Sequence, residues 1–364
     1  MAHSDGIGTR RDNSLGGAGL RAGVAGNAGR DASVPEGATG RQLLDVSNLS
    51  TRFQTPHGVV TAVDGVSFSL AAGGSLGIVG ESGSGKSQTL FSIMGLLPFN
   101  AEIQGSVRFE GRELIDLAPV ALNKLRGERL AMVFQDPMTA LNPYLTVERQ
   151  LSEVLQYHRG LSRRQARAEA LLALQRVHMP ESARQLDRYP HQLSGGMRQR
   201  VVIAMAMIGS PALLLADEPT TALDVTIQAD ILDLLAEQRE AGTAIVLVTH
   251  DLGVVARLCD RVMVMYAGRV VEEGWTREVF SHPRDPYTVG LLAAIPRLDD
   301  DLCNPRKPID GQPPDLLALP EGCAFAPRCF CVREICRRKS PKLLEHDRDG
   351  AVACYRENPE ALPS

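Results

Sequence analysis

No apolar run in this chain approaches the roughly 18 residues needed to cross a bilayer; Val201 to Ile208 is among the longest. The first residues hold no apolar secretory core, so the chain is expected to stay in the cytoplasm, where it can still dock on a membrane through other subunits. A strong charge of either sign is also missing. The formal net charge is −4, which leaves no global basic footprint and argues against nucleic acid as the main partner. Large apolar side chains are almost absent from residues 1–40, where Gly, Ala, Ser, Asp and Arg dominate. Such a segment cannot bury enough surface to offset its ordering entropy and is expected to be disordered.

What is present is ordinary for a globular protein of two domains. Among 364 residues, 44% are hydrophobic and 23% charged, enough for a sizeable core. Leu43–Phe53 and Val59–Leu70 alternate apolar and polar residues around Pro56-His57-Gly58, a pattern of antiparallel β structure. Ser75–Val79 reads as a short apolar strand running into a glycine-rich loop. Residues 120–190 read as mostly helical. Ser162 is an N-cap candidate there, with Ala166, Leu171, Leu174 and Val177 on one packing face. Ala212–Ala216 and Ala244–Thr249 are short, nearly continuous apolar runs that fit buried parallel strands. Mixed strands and helix fill 257–295, and after Pro296 a tail rich in Pro, Asp and Cys reads as a small separate module.

Gly80-Glu81-Ser82-Gly83-Ser84-Gly85-Lys86-Ser87 matches G-x-x-x-x-G-K-[ST] in full, between a predicted strand and a predicted helix. Its amides are expected to cradle the phosphates of a nucleoside triphosphate. Lys86 would reach the β- and γ-phosphates and Ser87 would hold Mg²⁺. Ala212–Glu218 is an apolar strand ending in two acids whose side chains diverge by alternation. Asp217 is expected to support the Mg²⁺ shell, and Glu218 to orient and polarise the attacking water. Between these two anchors lies Leu193-Ser194-Gly195-Gly196-Met197. Its glycines let amides approach a phosphate, and the helix they open points its positive end there. Two separate phosphate-binding turns imply a nucleotide gripped by two chains at once, and so half of an ATP-driven dimer.

With these motifs the chain resembles the ATP-binding-cassette ATPases, roughly over residues 43–295. The resemblance implies an α/β P-loop NTPase fold, with a RecA-like core, an antiparallel β subdomain and a helical subdomain, over 41–295. It also implies that Phe53 stacks on adenine. Gln135, within Val133-Phe134-Gln135-Asp136-Pro137, would sense Mg²⁺ and touch a transmembrane partner. Asp224 would lie in the loop crossing the dimer interface, and His250 would contact the γ-phosphate. Met197 stands where the family commonly has Gln, which removes one polar contact but leaves Ser194, Gly195 and Gly196 to bind phosphate. Gln88, next to Ser87, and Thr221 are milder variations.

The segment Ser281-His282-Pro283-Arg284-Asp285-Pro286-Tyr287-Thr288, then Gly311-Gln312-Pro313-Pro314 and a cysteine cluster, resembles the ATPase subunits of bacterial oligopeptide and dipeptide importers, which carry an added C-terminal module, here 296–364. Close relatives serve nickel import. Of seven cysteines, Cys259 reads as a small buried apolar residue and Cys303 has no obvious partner. Cys323, Cys329, Cys336 and Cys354 remain, with Cys331 as a fifth candidate, pointing the opposite way if the backbone is extended. In a cytoplasmic setting a thiol cluster suggests metal rather than disulfides. The tetrad lacks the close ligand pairs of a zinc site, and its C-x₅-C-x₆-C spacing suits a [4Fe-4S] cluster, as the resemblance also implies. Zinc and free structural thiols stay open as alternatives. Arg328, Arg333, Arg337, Arg338, Lys339 and Lys342 read as a solvated or lipid-facing basic surface.

The sequence thus points to an ATPase on the inner face of a bacterial membrane that powers peptide import. Its expected partners are a second, related ATPase subunit, two transmembrane permease subunits and, indirectly, an extracytoplasmic peptide-binding protein. Nickel or small-solute import is one alternative. A soluble cassette protein of DNA repair or translation is another, but such proteins usually carry two cassettes, and this chain has one phosphate loop and no repeat.

Overall fold

Pro56 and His57 stop the first strand and Gly58, at φ 128°, reverses it. The result is a long hairpin, β1 (Gln42–Thr55) against β2 (Gly58–Ala71), with Thr55 opposite Gly58. A computed structural model describes residues 42–221, 224–295, 309–346 and 349–356. The expected disorder of 1–40 and Cys303 lie outside the described residues.

Chain order then gives β3 (Ser75–Val79), β4 (Ala101–Phe109), β5 (Arg112–Glu113), β6 (Leu130–Val133), β7 (Leu213–Asp217), β8 (Ala244–Val248), β9 (Arg261–Tyr266), β10 (Arg269–Trp275), β11 (Leu344–His346) and β12 (Gly350–Val352). A four-stranded antiparallel sheet has the order β2-β1-β4-β5. An eight-stranded sheet has the order β11-β12-β10-β9-β3-β8-β7-β6, and β9, β3, β8, β7 and β6 run parallel.

Both faces of those parallel strands are buried, which explains their continuous apolar runs. Leu213, Leu215, Val246 and Val248 enter a cluster shared with β1, β2 and the helix Lys86–Met94. Their neighbours Leu214, Ala216, Ile245 and Leu247 enter a second cluster, shared with the helices Val147–Arg159, Arg163–Arg176 and Gly195–Met207. Ser162 caps Arg163–Arg176 through a reciprocal box with Gln165, and Ala166, Leu174 and Val177 are buried. Within the stretch read as helical, Leu130–Val133 is instead the outer strand of the large sheet. β12 pairs with β10, Glu272 facing Val352, so the tail extends the cassette's own sheet. No helix among the described residues is long and apolar enough to cross a membrane.

Candidate functional site

Parallel strands deliver their carboxyl ends to one edge, where ligands of open α/β sheets bind. Here β3 runs on into Gly80, β6 into Phe134 and Gln135, β7 ends at Asp217 with Glu218 next, and β8 runs on into Thr249 and His250. The register therefore gathers at one edge residues from four segments far apart in sequence.

The loop after β3 needs its glycines. A Cβ on Gly80 would lie 2.2 Å from the Met265 carbonyl oxygen, and one on Gly85 would lie 2.3 Å from that of Ala62; both residues have positive φ. Gly85 is also the N-cap of Lys86–Met94 and brings no side chain to its first amides, which remain available to an anion. Lys86 is buried and donates from Nζ to the carbonyl oxygens of Gly80 (2.7 Å) and Glu81 (2.8 Å) and, more weakly, to Ser84 Oγ (3.4 Å). Burial lowers its pKa from the ordinary lysine value, against the pull of Glu218, Asp217 and Glu81.

Ser87 Oγ donates to Asp217 Oδ1 at 2.8 Å, so the expected Mg²⁺ ligands are adjacent. Burial pushes the Asp217 carboxyl up; the Ser87 hydrogen bond and Lys86 oppose this, and Glu218 adds to it. Glu218 stands at φ 46°, with its N–H donating to the Val248 carbonyl at 2.8 Å. Its Oε2 accepts from Thr221 Oγ1 (2.8 Å) and Gln135 Nε2 (3.1 Å) and faces His250 Nδ1 at 3.4 Å. Thr221, only a mild variation by its motif, is in the structure a direct partner of the acid. Gln88 stands beside Ser87 on the first turn of the helix Lys86–Met94. Ser82 and Gly83 are exposed at the loop's crest.

Ser194 caps Gly195–Met207 by accepting from the Met197 amide at 3.3 Å. Ser194 and Gly195 are exposed, and a Cβ on Gly196 would touch Ile227 at 3.0 Å. Ile227 belongs to the helix Val225–Glu240, whose exposed N-cap is Asp224. Among the described residues no hydrogen bond joins Ser194, Gly195 or Gly196 to the loop 80–87. Phe53, on β1 opposite Val60 and Ala101, is half-buried and belongs to neither apolar cluster.

The tail departs from the sequence expectations at its cysteines and at Arg328. Cys323, Cys329, Cys336 and Cys354 line one small cavity with Cys331. Yet among the described residues no three Cys, His, Asp or Glu side chains are placed to hold a metal ion, so the [4Fe-4S] assignment, with zinc behind it, does not stand. Burial pushes the Cys323 thiol up to about 11 and the Cys329 thiol up to about 12. Cys331 does not point away: the chain turns after Ala326–Arg328 and leaves the Cys329 and Cys331 sulfurs 3.6 Å apart. The other correction is Arg328. Its side chain is only 5% exposed and pairs with Glu81 of the phosphate loop, while Arg333, Arg337, Arg338, Lys339 and Lys342 stay exposed. Cys259 is buried as expected.

Residues 63–221 match the family model described as ABC transporter, and residues 271–336 match that described as oligopeptide/dipeptide transporter, C-terminal region. The chain is 57% identical over 314 residues to the oligopeptide transport ATP-binding protein OppD of Haemophilus influenzae, covering 86% of this chain and 97% of that protein. It is 54% identical over 321 residues to OppD of Escherichia coli, covering 88% and 95%. It is 49% identical over 323 residues to the dipeptide transport ATP-binding protein DppD of Bacillus subtilis, covering 88% and 96%. Among solved structures, a dimeric post-hydrolysis state of the ATP-binding cassette MJ0796 bound to ADP and Pi aligns with a TM-score of 0.59 at 33% identity, covering 65% of this chain and 99% of that one.

Proposed function

The chain belongs to the oligopeptide and dipeptide transport ATP-binding proteins of the ABC transporter family, and from that premise we propose that it hydrolyses ATP to drive uptake of peptides through a membrane permease. The observation that carries this reading is the single sheet edge on which Lys86, the Ser87–Asp217 pair and the Glu218–Gln135–Thr221–His250 group meet.

The chemistry is in-line attack of water on the γ-phosphorus, helped mainly by positioning and charge neutralisation. The amides of loop 80–87 hold the triphosphate, and Lys86 moves its ammonium from loop carbonyls to phosphate oxygens. Ser87 and Asp217, beside Gln135, would hold Mg²⁺, which would supply charge neutralisation on the phosphate oxygens. Glu218 orients the attacking water and takes its proton, and Gln135, Thr221 and His250 fix the acid's position. His250 also reaches the γ-phosphate. The half-buried Phe53 ring would stack on adenine.

The exposed Ser194 helix end suits a phosphate held by another protomer, so the working unit is a pair of ATPase subunits, this chain with a related one. The dimeric cassette holding ADP and Pi is a structural precedent. Beside Gln135, an apolar groove of about 200 Å³ lined by Met94, Phe134, Ala140, Val154 and Met205 suits a docking element of the permease. Two such permease subunits would hold the pair at the cytoplasmic face of the membrane, supplied by an extracytoplasmic peptide-binding protein. The test is to isolate the intact assembly, reconstitute it in vesicles and measure ATPase with the binding protein. Peptide-loaded binding protein should stimulate hydrolysis several-fold. Stimulation by nickel ions with none by peptides would overturn the cargo assignment.

A further inference from the structure

Glu81, the second residue of the phosphate loop, is gripped from outside that loop by side chains of the segments that follow β9. Arg328 forms a two-pronged pair with its carboxylate, Nη1–Oε2 2.6 Å and Nη2–Oε1 2.9 Å. Arg328 is itself fixed. It donates to the Asp310 carbonyl at 2.9 Å and to the Tyr266 hydroxyl at 3.3 Å, and stands 5.9 Å from the ring centres of Tyr266 and Phe325. The Glu81 N–H donates to the Tyr287 hydroxyl at 2.7 Å, and Tyr287 is fully buried against Tyr266 and Phe325. Pro313, Pro314 and Leu316 close a cavity of about 90 Å³ over residues Glu81–Ser84.

This grip meets an electrostatic problem. The loop has to attract a polyanion, yet it carries a carboxylate one residue past Gly80. The Glu81 carbonyl is also one of the two that hold Lys86, so the residue's backbone is part of the cradle. Unpaired, the carboxylate would repel the phosphates; loosely held, it would let the cradle shift. Resting on the ATPase reading above, we propose that Arg328 is a positioning residue for the nucleotide site. By neutralising and fixing Glu81 from the C-terminal region, it sets the loop's affinity for triphosphate. The tail is in this view a working part of the ATP site.

The test measures dissociation constants for ATP and AMP, with ATPase KM and kcat, on the full chain and its R328Q, E81Q and E81Q/R328Q variants. R328Q should weaken ATP roughly tenfold at low salt, as an uncompensated charge near the phosphates implies, with little change for AMP or kcat. Added salt should shrink the difference. The double variant should recover most of the lost affinity. E81Q alone, which leaves Arg328 an unpaired cation, should tighten ATP relative to AMP, and this arm decides the matter should R328Q not fold. Equal losses for ATP and AMP, a double variant no better than R328Q, or an E81Q variant with unchanged ATP preference would each overturn the proposal. If the unaltered chain binds no ATP, the ATPase reading falls and takes this one with it; flat variants beside a binding parent sink only the positioning role.

Discussion

Glu218 is where single side chains decide the chemistry. Its backbone is set at positive φ and pinned to Val248, and one carboxylate oxygen collects Thr221, Gln135 and His250. Glutamine in its place keeps the shape and most of the hydrogen bonds but cannot accept a proton. In Glu218→Gln, kcat should therefore fall at least about 100-fold, the usual span for a lost general base. ATP affinity, set by Lys86 and the loop, should stay within about twofold. Single-turnover hydrolysis and nucleotide binding on the same preparation separate the two, and parental turnover in the variant would remove Glu218 from the role. Lys86 and Ser87 could be picked out from the G-x-x-x-x-G-K-[ST] pattern and Asp217 and Glu218 from the acids that end an apolar run, whereas Gln135 and His250 came only with the family resemblance. The Arg328–Glu81 and Tyr287–Glu81 contacts were not legible in the sequence, since they join residues 247 and 206 positions apart and no local pattern encodes such pairs.

At the scale of elements, the helix Pro286–Ala293 starts at a buried acid. Asp285 caps it by accepting from the Tyr287 amide at 2.9 Å, and its own N–H goes to Glu272, another buried carboxylate. Burial pushes Asp285 up to about 7, and nearby Glu272 adds to the rise. The folded chain then keeps a proton that the unfolded chain gives up near the ordinary aspartate value of about 3.9. Stability from this group falls as pH rises from about 4 to about 7 and is level above that. Asp285→Asn keeps an oxygen to cap the helix and has no proton to lose. Its melting temperature should exceed the parent's at pH 8, with the gap closing toward pH 5; parallel melting curves would refute the assignment. The hairpin β1–β2, the central strands and the Ser162 cap were readable from alternation and capping. β6, β11 and β12 were not, because strands of three or four residues are too short to show a period. Cysteine spacing misled for a related reason: it counts residues along the chain, whereas the turn after Arg328 decides which sulfurs meet.

For the whole molecule the open question is what faces the Ser194 helix end. A helix N-terminus with exposed glycine amides carries a partial positive charge that favours an anion. No hydrogen bond among the described residues ties it to this chain's own loop, and it shares a patch with exposed Asp224 through Gly196 and Ile227. On the reading proposed above, a phosphate brought by a second protomer would satisfy it, and pairing with a related subunit would place two nucleotides in one seam. If the pair forms as proposed, Glu218→Gln with ATP and Mg²⁺ should hold it together, so sedimentation should show a two-chain species when the related ATPase subunit is present, dispersing when ATP is removed. Adding Ser194→Glu sets a carboxylate against the partner's γ-phosphate and should abolish the pairing. ATP binding by the variant's own loop should persist if, as proposed, the two phosphate-binding turns of one chain serve different nucleotides. A Ser194→Glu chain that still pairs, or one that loses ATP binding as a monomer, would place both turns on the same nucleotide and leave the chain to work alone.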